Sequence, residues 1–501
     1  MEAVRRWRED WRYPTALLCI YGFFSTVKPM EAFIILYMTG PDKNLTIEEV
    51  NNQIFPVWTY SYLTVLVPVF LLTDWLRYKP VLVFQCVALF VTTAMILWLT
   101  GVPAMQAMQF FYGVVTASEV AYFSYIYSVV DFKHYRKATS YVRSVQLMGY
   151  TVGSVLGQLL FSFDLLSYNN TIVLTLVLIA VALLVSCLLP MPQRSMFFHR
   201  RSTRQKIATE GTMRNVDGTT EHTFRAKVSV EKARDEKVEK GETEDEARPG
   251  LDEKGPPAED PEESVGAERC SKVLLQLWRD FCQCYSSRQM LYWSVWWAMA
   301  TCGYNQTTNY VQVLWEHVQP AQNISVYNGG VEAMSNLFGA ATAYGIGFTE
   351  VRWDKWGELA LGGFSGFEAA ALFLMTFAGN IWVCYTGYVI FKCLHMMLIT
   401  IAMYQIATDL SMERYALVFG ANTFGALVLQ TIMTSIVVDS GGLGLDVIAQ
   451  FTINASYVSL IAVVYSLRGM FTLWRLQRSN KSHESTAPVK KEPPDSDEHR
   501  F

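Results

Sequence analysis

Apolar runs of membrane-spanning length recur along the chain and are separated by short polar segments. A helix needs about 20 mainly apolar residues to cross the hydrocarbon core of a bilayer. The pattern therefore predicts an all-α membrane protein. Its twelve transmembrane helices form two sets of six, near residues 14–39, 55–73, 79–100, 104–130, 139–162 and 171–190, and near 288–315, 328–349, 357–378, 381–405, 415–438 and 446–472.

One long polar segment separates the two sets of helices. It begins with several arginines and then becomes rich in Glu, Lys, Asp, Pro and Gly, a composition that cannot bury a core. Two six-helix bundles joined by such a linker resemble the major facilitator superfamily, whose substrate site lies between the halves near mid-membrane. The predicted parts are an N-terminal bundle over 1–190, a cytosolic and mostly disordered loop over 191–286, a C-terminal bundle over 287–475 and a cytosolic disordered tail over 476–501.

Positive charge is distributed unequally between the two sides of the predicted bundle. The connections on one side contain a single Lys or Arg, Lys43, whereas those on the other side contain Arg77, Lys79, Lys133, Arg136, Lys137, Arg352, Lys355 and Arg414. Cytosolic connections are enriched in Lys and Arg, so we expect both termini in the cytosol. Three sequons lie in the predicted external connections, and we expect glycosylation at Asn44, Asn169 and Asn323.

Composition and motifs exclude several other classes of protein. Only 17% of the residues are charged and the net charge is -4, so no basic field is available for nucleic acid. We find no metal-ligand pair, nucleophile motif or phosphate loop, and we expect no metal, no cofactor and no enzyme activity. The remaining functions are to move or to sense something across a bilayer.

Ionisable side chains inside the predicted helices are candidates for function, because each one is costly to insert. Four Glu against two Lys leave this interior acidic by two with His neutral, which favours a cationic or proton-coupled substrate. Lys28 and Glu31 are three residues apart on one helix face, as either an internal ion pair or a substrate contact. The full set is Lys28, Glu31, Glu119, Glu332, Glu368, Lys392 and His395.

Aromatic and polar stripes accompany these charges. Phe55, Trp58 and Tyr62 follow helical spacing, which suits either π contacts to a charged heterocycle or an aromatic belt at the membrane interface. A second stripe suits either the wall of a cavity or a hydrogen-bonded seam between helices, and it consists of Gln109, Tyr112, Thr116 and Glu119.

The chain resembles the folate/thiamine carrier family, and most closely its thiamine branch, in seven stretches that span both halves. They are GPDKNLT (40–46), IFPVWTYSYL (54–63), LTDWLRYKPV (72–81), AYFSYIYSVV (121–130), LPMPQRSMFFH (189–199), VYNGGVEA (326–333) and MERYALVFGANTF (412–424). The resemblance implies a plasma-membrane facilitator that imports a small vitamin, thiamine first, in exchange for protons.

The resemblance also implies which residues form the site. A substrate site is expected at Glu31, Phe55, Trp58, Gln109, Tyr112, Glu119 and one or both of Asn305 and Asn309. Proton coupling or charge pairing is expected among Lys28, Glu31, Glu119, Lys392 and His395.

Three of these positions depart from the family pattern. Gln109 replaces a Glu and supplies no charge, Lys28 replaces an Arg and loses its planar fork, and His395 replaces a Tyr. Thiamine stays the first expectation for the substrate. The alternatives are a transporter of another vitamer, pyridoxine-like or folate, and a membrane receptor or scaffold that does not transport.

Overall fold

The computed structural model describes residues 11–130, 132–192, 275–320, 326–346, 353–407, 410 and 412–485. Within these ranges the chain has no strand. A short helical stretch lies at 275–284, within the predicted 191–286 loop. The rest of the fold consists of twelve helical segments. They are α1 (Arg12–Thr39), α2 (Ile47–Trp75), α3 (Lys79–Trp98), α4 (Val102–Val129), α5 (Phe132–Ser162), α6 (Tyr168–Leu188), α7 (Arg288–Val318), α8 (Asn328–Ile346), α9 (Trp353–Phe377), α10 (Ile381–Ala407), α11 (Met412–Met433, extended by the π-helical Thr434–Val438) and α12 (Val447–Ser485).

Eight of these segments are long and apolar enough to cross a membrane on their own, namely α1, α2, α3, α6, α9, α10, α11 and α12. The other four, α4, α5, α7 and α8, have polar side chains along one face. All four contribute such side chains to the cavity described below. Their lower hydropathy is therefore a consequence of facing the interior of the bundle rather than lipid.

The helices pack in the same order in both halves of the chain. In the first half the neighbours are α2–α4, α4–α3, α3–α6, α6–α1 and α1–α5, and in the second they are α8–α10, α10–α9, α9–α12, α12–α7 and α7–α11. The halves meet at two contacts, α5 with α8 and α11 with α2. These contacts are equivalent, because α11 is the counterpart of α5 in the other half and α2 is the counterpart of α8. The two bundles are thus structural repeats, as in facilitator-type transporters.

The first helix is broken where the sequence predicts a continuous helix over 14–39. Its α-helical part ends at Thr26, and Val27 is extended with φ -74° and ψ 94°. The chain resumes with a 3₁₀ turn at Glu31–Phe33. Pro29 explains the break, since it has no N–H to donate and it disfavours helical backbone at the preceding residue. Lys28 and Glu31, on either side of Pro29, both line the cavity described below.

The apolar core joins the bundles at one end and divides at the other. At the end with the α1–α2 and α11–α12 connections, here the closed end, one cluster includes Phe33 from the first half and Tyr310 from the second. At the opposite end, here the termini end, each bundle has its own cluster, around Tyr21 in one and Trp296 in the other. Leu427 of α11 belongs to the second half of the chain but packs in the cluster around Tyr21.

Polar contacts between the bundles reinforce the closed end. Tyr60 on α2 donates its hydroxyl to Asp439, directly after α11, with 2.5 Å between the oxygens. Gln158 on α5 donates to the backbone carbonyl of Val326 and accepts from the backbone N–H of Gly330. These bonds cross the same two contacts, α2–α11 and α5–α8, through which the repeats meet.

Lys43, the one cation in the predicted external connections, caps the end of a helix. Its Nζ donates to the carbonyls of Leu97 and Leu99 at 3.1 Å and 2.6 Å, where α3 ends. Burial lowers the pKa of Lys43, and the nearby Asp42 partly opposes that change. A cation at this position satisfies carbonyls that have no partner within the helix.

Two of the three predicted glycosylation sites lie in described residues. Asn44 is exposed in the α1–α2 connection, with a left-handed φ of 59°. Asn169 lies in the first turn of α6, where its amide donates to Asp42 and its oxygen accepts from Tyr37. Asn323 lies outside the described residues, as does most of the predicted 191–286 loop. Glycosylation at all three stays a prediction.

Candidate functional site

A cavity of about 560 Å³ lies between the two bundles. Cavities that bind small molecules have volumes of about 300–1,000 Å³. In the first half its wall comes mainly from α1 to α5, and in the second half from α7, α8 and α10. The position between the repeats matches the place where facilitators bind their substrates.

Most of the predicted site residues line this cavity. Asn305 and His395 do not. Asn305 donates to Gln430 at 3.0 Å, and His395 packs behind Tyr304. Contact between a substrate and any of these residues stays a prediction. The predicted residues in the lining are Lys28, Glu31, Phe55, Trp58, Gln109, Tyr112, Glu119, Asn309 and Lys392.

Tyr112 bridges the two charges at the break in α1. Lys28 Nζ donates to the Tyr112 hydroxyl at 3.2 Å, and that hydroxyl donates to Glu31 at 3.4 Å. Lys28 also lies 5.1 Å from the centre of the Tyr112 ring. The charges offset each other through the phenol, yet all three side chains stay in the cavity wall. Both alternatives for this pair, internal compensation and substrate contact, remain compatible with the geometry.

Glu119 forms the second acidic position in the first half. Its Oε1 accepts a hydrogen bond from Gln146 Nε2, with 2.6 Å between the atoms. Gln146 lies on α5, so the bond holds the carboxylate against the neighbouring helix while Glu119 still lines the cavity. A neutral partner orients this charge without cancelling it. Glu119 is therefore held by a neutral partner in the wall of the cavity.

A close approach between α2 and α4 positions the aromatic wall. A Cβ on Gly113 would lie 2.5 Å from Ser61 Oγ, so only glycine lets the two helices meet here. Trp58 donates its indole N–H to Thr116 at 3.1 Å across the same contact. Trp58 on α2 and Tyr112 on α4 both line the cavity. The polar stripe of α4 is thus a cavity wall as well as a hydrogen-bonded seam.

A second charged cluster lines the cavity from the other half of the chain. Lys392 Nζ lies 2.6 Å from Glu332 Oε2, and Tyr388 donates to the other carboxylate oxygen at 2.7 Å. The ionisable groups in the lining are therefore three Glu, at 31, 119 and 332, against Lys28 and Lys392. Three Glu against two Lys give the lining a formal net charge of -1. The count from the sequence is -2, because it includes Glu368, which lies outside the lining.

Several polar lining residues are absent from the predicted site. The sequence identifies Glu332 as an intramembrane charge. Its pairing with Lys392 was not predicted, because the two residues are 60 positions apart and lie on different helices. Polar residues in α5 and α7 were an available signal, yet they do not identify the face that meets the cavity. The missed polar or aromatic residues include Tyr21, Gln85, Tyr122, Gln146, Tyr150, Tyr304, Thr308, Gln312, Glu332, Asn336 and Tyr388.

Solved structures show the class of fold. A POT family transporter in complex with a thioalcohol conjugated peptide aligns with a TM-score of 0.58 and 11% identity, over 91% of this chain and 96% of that chain. A mutant of the nucleoside transporter NupG aligns with a TM-score of 0.55 and 12% identity, over 90% of this chain and 98% of that chain. The chain is a multi-pass membrane protein with the major facilitator fold.

Sequence relatives define the family within that class. The profile described as Reduced folate carrier matches residues 9–453. Thiamine transporter 1 of Homo sapiens is 49% identical, covering 98% of this chain and 96% of that protein. Thiamine transporter 2 of Homo sapiens is 46% identical, covering 96% and 94%. The Reduced folate transporter of Homo sapiens is 36% identical, covering 96% and 75%.

The chain therefore belongs to the reduced folate carrier family. The fold class and the family predicted from the sequence are confirmed. The expectation of a transporter rather than an enzyme is also confirmed, since these relatives are named as transporters.

Removing one partner of the charged cluster tests its contribution to stability. Glu332→Gln leaves Lys392 largely buried without its counter-ion, and we expect a loss of roughly 3 kcal/mol. The double variant Glu332→Gln/Lys392→Met removes both charges and should recover most of that loss. The measurement is the apparent melting temperature of the purified protein. Glu358→Gln, which breaks the more exposed pair with Arg468, is the matched control. A double variant no more stable than the single one would contradict the pairing.

Proposed function

We propose that the protein imports thiamine across the plasma membrane by proton-linked alternating access, with both termini in the cytosol. One observation carries the proposal. The Glu31 and Glu119 carboxylates line the same cavity as the rings of Phe55, Trp58 and Tyr112, in a chain whose relatives at 46% and 49% identity are named thiamine transporters.

The chemistry of the cavity suits this substrate. Thiamine contains a permanently charged heterocycle, which has no proton to lose when it leaves water. A cation in that state needs a carboxylate or the face of an aromatic ring to offset the cost of desolvation. The first half provides both around one space, while Gln109 and Asn309 provide neutral hydrogen-bonding groups for the rest of the molecule.

The packing of the bundles supports a direction for the transport cycle. The shared core and the Tyr60–Asp439 bond join the halves at the closed end. The separate cores leave the halves mainly independent at the termini end. With cytosolic termini, this arrangement corresponds to an inward-facing state from which a vitamin is released into the cell. Uptake then requires the closed end to separate while the termini end comes together.

Uptake of radiolabelled thiamine by cells that express the chain tests the function. We expect uptake well above that of mock-transfected cells. Glu31→Gln should weaken thiamine binding by about tenfold or more, the usual scale for losing a charge-assisted contact. Glu358→Gln, outside the cavity, controls for the loss of a carboxylate elsewhere. Uptake at the mock level, with surface labelling showing normal expression, would overturn the proposal.

Introducing a carboxylate at position 109 tests whether this side chain faces the charged ring of thiamine. Gln109→Glu adds a carboxylate to the cavity wall, and we expect the apparent KM for thiamine to fall about fivefold, which corresponds to about 1 kcal/mol. Gln106→Glu, on the same helix but outside the lining, should leave the KM unchanged. An unchanged or higher KM in Gln109→Glu would mean that this side chain does not face the cation.

A neutral, pyridoxine-like vitamer is the second candidate substrate. Gln109 and the two lysines leave the cavity with a net charge of only -1. Folate is disfavoured because Lys28 and Lys392 are already bonded to Tyr112 and Glu332. Competition by thiamine, pyridoxine and folate in one uptake assay separates these cases. We expect thiamine to compete most strongly, and stronger competition by pyridoxine would assign the second substrate instead.

A further inference from the structure

Two ionisable side chains lie together in the second bundle, behind the wall of the cavity. Glu368 on α9 is 3% exposed and His395 on α10 is 4% exposed. His395 Nδ1 lies 3.7 Å from Glu368 Oε1, and that oxygen is buried without a hydrogen-bond partner. Neither residue belongs to the cavity lining. We call these two side chains the α9–α10 pair.

Burial decides which charge states the α9–α10 pair adopts. With one proton on the carboxyl group and a neutral imidazole, the pair has no net charge, the form that a low-dielectric interior favours. Loss of that proton leaves a buried carboxylate with a charge of -1. Such a carboxylate persists only if a positive charge arrives nearby to compensate it. The pair is thus suited to exchange a proton for another cation.

One aromatic ring connects the α9–α10 pair to the cavity. The ring of Tyr304 on α7 stacks on the imidazole of His395, with 4.2 Å between the ring centres and 14° between the planes. Tyr304 itself lines the cavity. His395 therefore lies between the buried carboxyl group of Glu368 and the ring that faces the substrate space.

Other charged groups on the neighbouring helices already have partners. On α8, Glu332 is bound by Lys392 of α10 at 2.6 Å. On α12, the Nε of Arg468 lies 3.0 Å from Glu358 of α9. On α7, the group that faces the pair is the phenol ring of Tyr304. Within the part of the chain that the structure describes, the recorded ion pairs leave no further cation beside Glu368.

We propose that the α9–α10 pair is the proton-binding site of this transporter, and that it releases its proton when a cationic substrate binds in the cavity. The neutral pair loses one positive charge as the proton passes to water, and the cavity gains one as the cation binds, so the local charge is unchanged. Proton and cation thus compete for one compensating negative charge. The substrate in this exchange follows from the proposed function, whereas the proton site stands independently of it.

Infrared spectroscopy of the purified, substrate-free protein tests the proton site directly. A protonated carboxyl group has a C=O stretching band that a carboxylate lacks. In pH-difference spectra of the wild type, we expect one such band to disappear as the pH is raised. Glu368→Gln should remove that band, and Glu358→Gln should keep it. A wild-type band that persists in Glu368→Gln, or no such band in the wild type, would overturn the proposal.

Proton release on substrate binding tests the coupling. In weakly buffered solution with a pH indicator, the wild type should release about one proton per thiamine bound, and its thiamine affinity should rise with pH by at most about tenfold per pH unit. Glu368→Gln should bind thiamine without proton release and with a flatter pH profile. His395→Tyr, which keeps a ring against Tyr304, should still show the infrared band of Glu368.

The two tests also separate this proposal from the proposed function. Unchanged proton release in Glu368→Gln would overturn the coupling. A wild type that shows the infrared band but binds no thiamine would count against thiamine as the substrate, and would leave the proton site supported.

Discussion

The free-energy cost of a charge in the membrane interior is the constraint that organises this protein. A charged side chain at the centre of a bilayer is tolerated only when it faces a cavity or has a partner. Each half of the chain meets that requirement with a lysine, a tyrosine and a glutamate. Lys28, Tyr112 and Glu31 are linked in series, whereas Lys392 and Tyr388 both bind Glu332 directly. The charges are thereby kept in the membrane and placed around a common space.

The two clusters differ in how completely their charges are paired. In the second half, lysine and carboxylate are in direct contact at 2.6 Å, so little charge is left for a ligand. In the first half a phenol separates the two charges, and Glu119 has only an amide as its hydrogen-bond partner. The carboxyl groups that are bonded by a phenol or an amide rather than by a lysine therefore lie on the side of the cavity that also has the aromatic rings. The repeated fold is symmetric, but its electrostatics are not.

The conformation of the bundles and the chemistry of the cavity depend on the same helices. The break at Pro29 places Lys28 and Glu31 in the cavity, and the backbone carbonyl of Glu31 accepts a hydrogen bond from Gln312 on α7. That bond crosses between the bundles beside the closed end. A rearrangement that separates the bundles there must alter the surroundings of Glu31. Substrate contact and the state of the closed end are physically linked through this segment.

The sequence by itself predicted twelve long helices in two sets of six, because apolar length is a local property of the chain. It did not predict the break in α1, and α12 continues to Ser485, into the segment that was expected to be a disordered tail from 476. Motifs and intramembrane charges were equally visible, including Glu31, Glu119 and Glu332. Only the tertiary structure decided that Asn305 and His395 lie outside the cavity lining, that Lys392 pairs with Glu332, and that Glu368 lies beside His395. These are contacts between different helices, set by helix rotation and packing, which hydrophobic periodicity constrains only to a broad face.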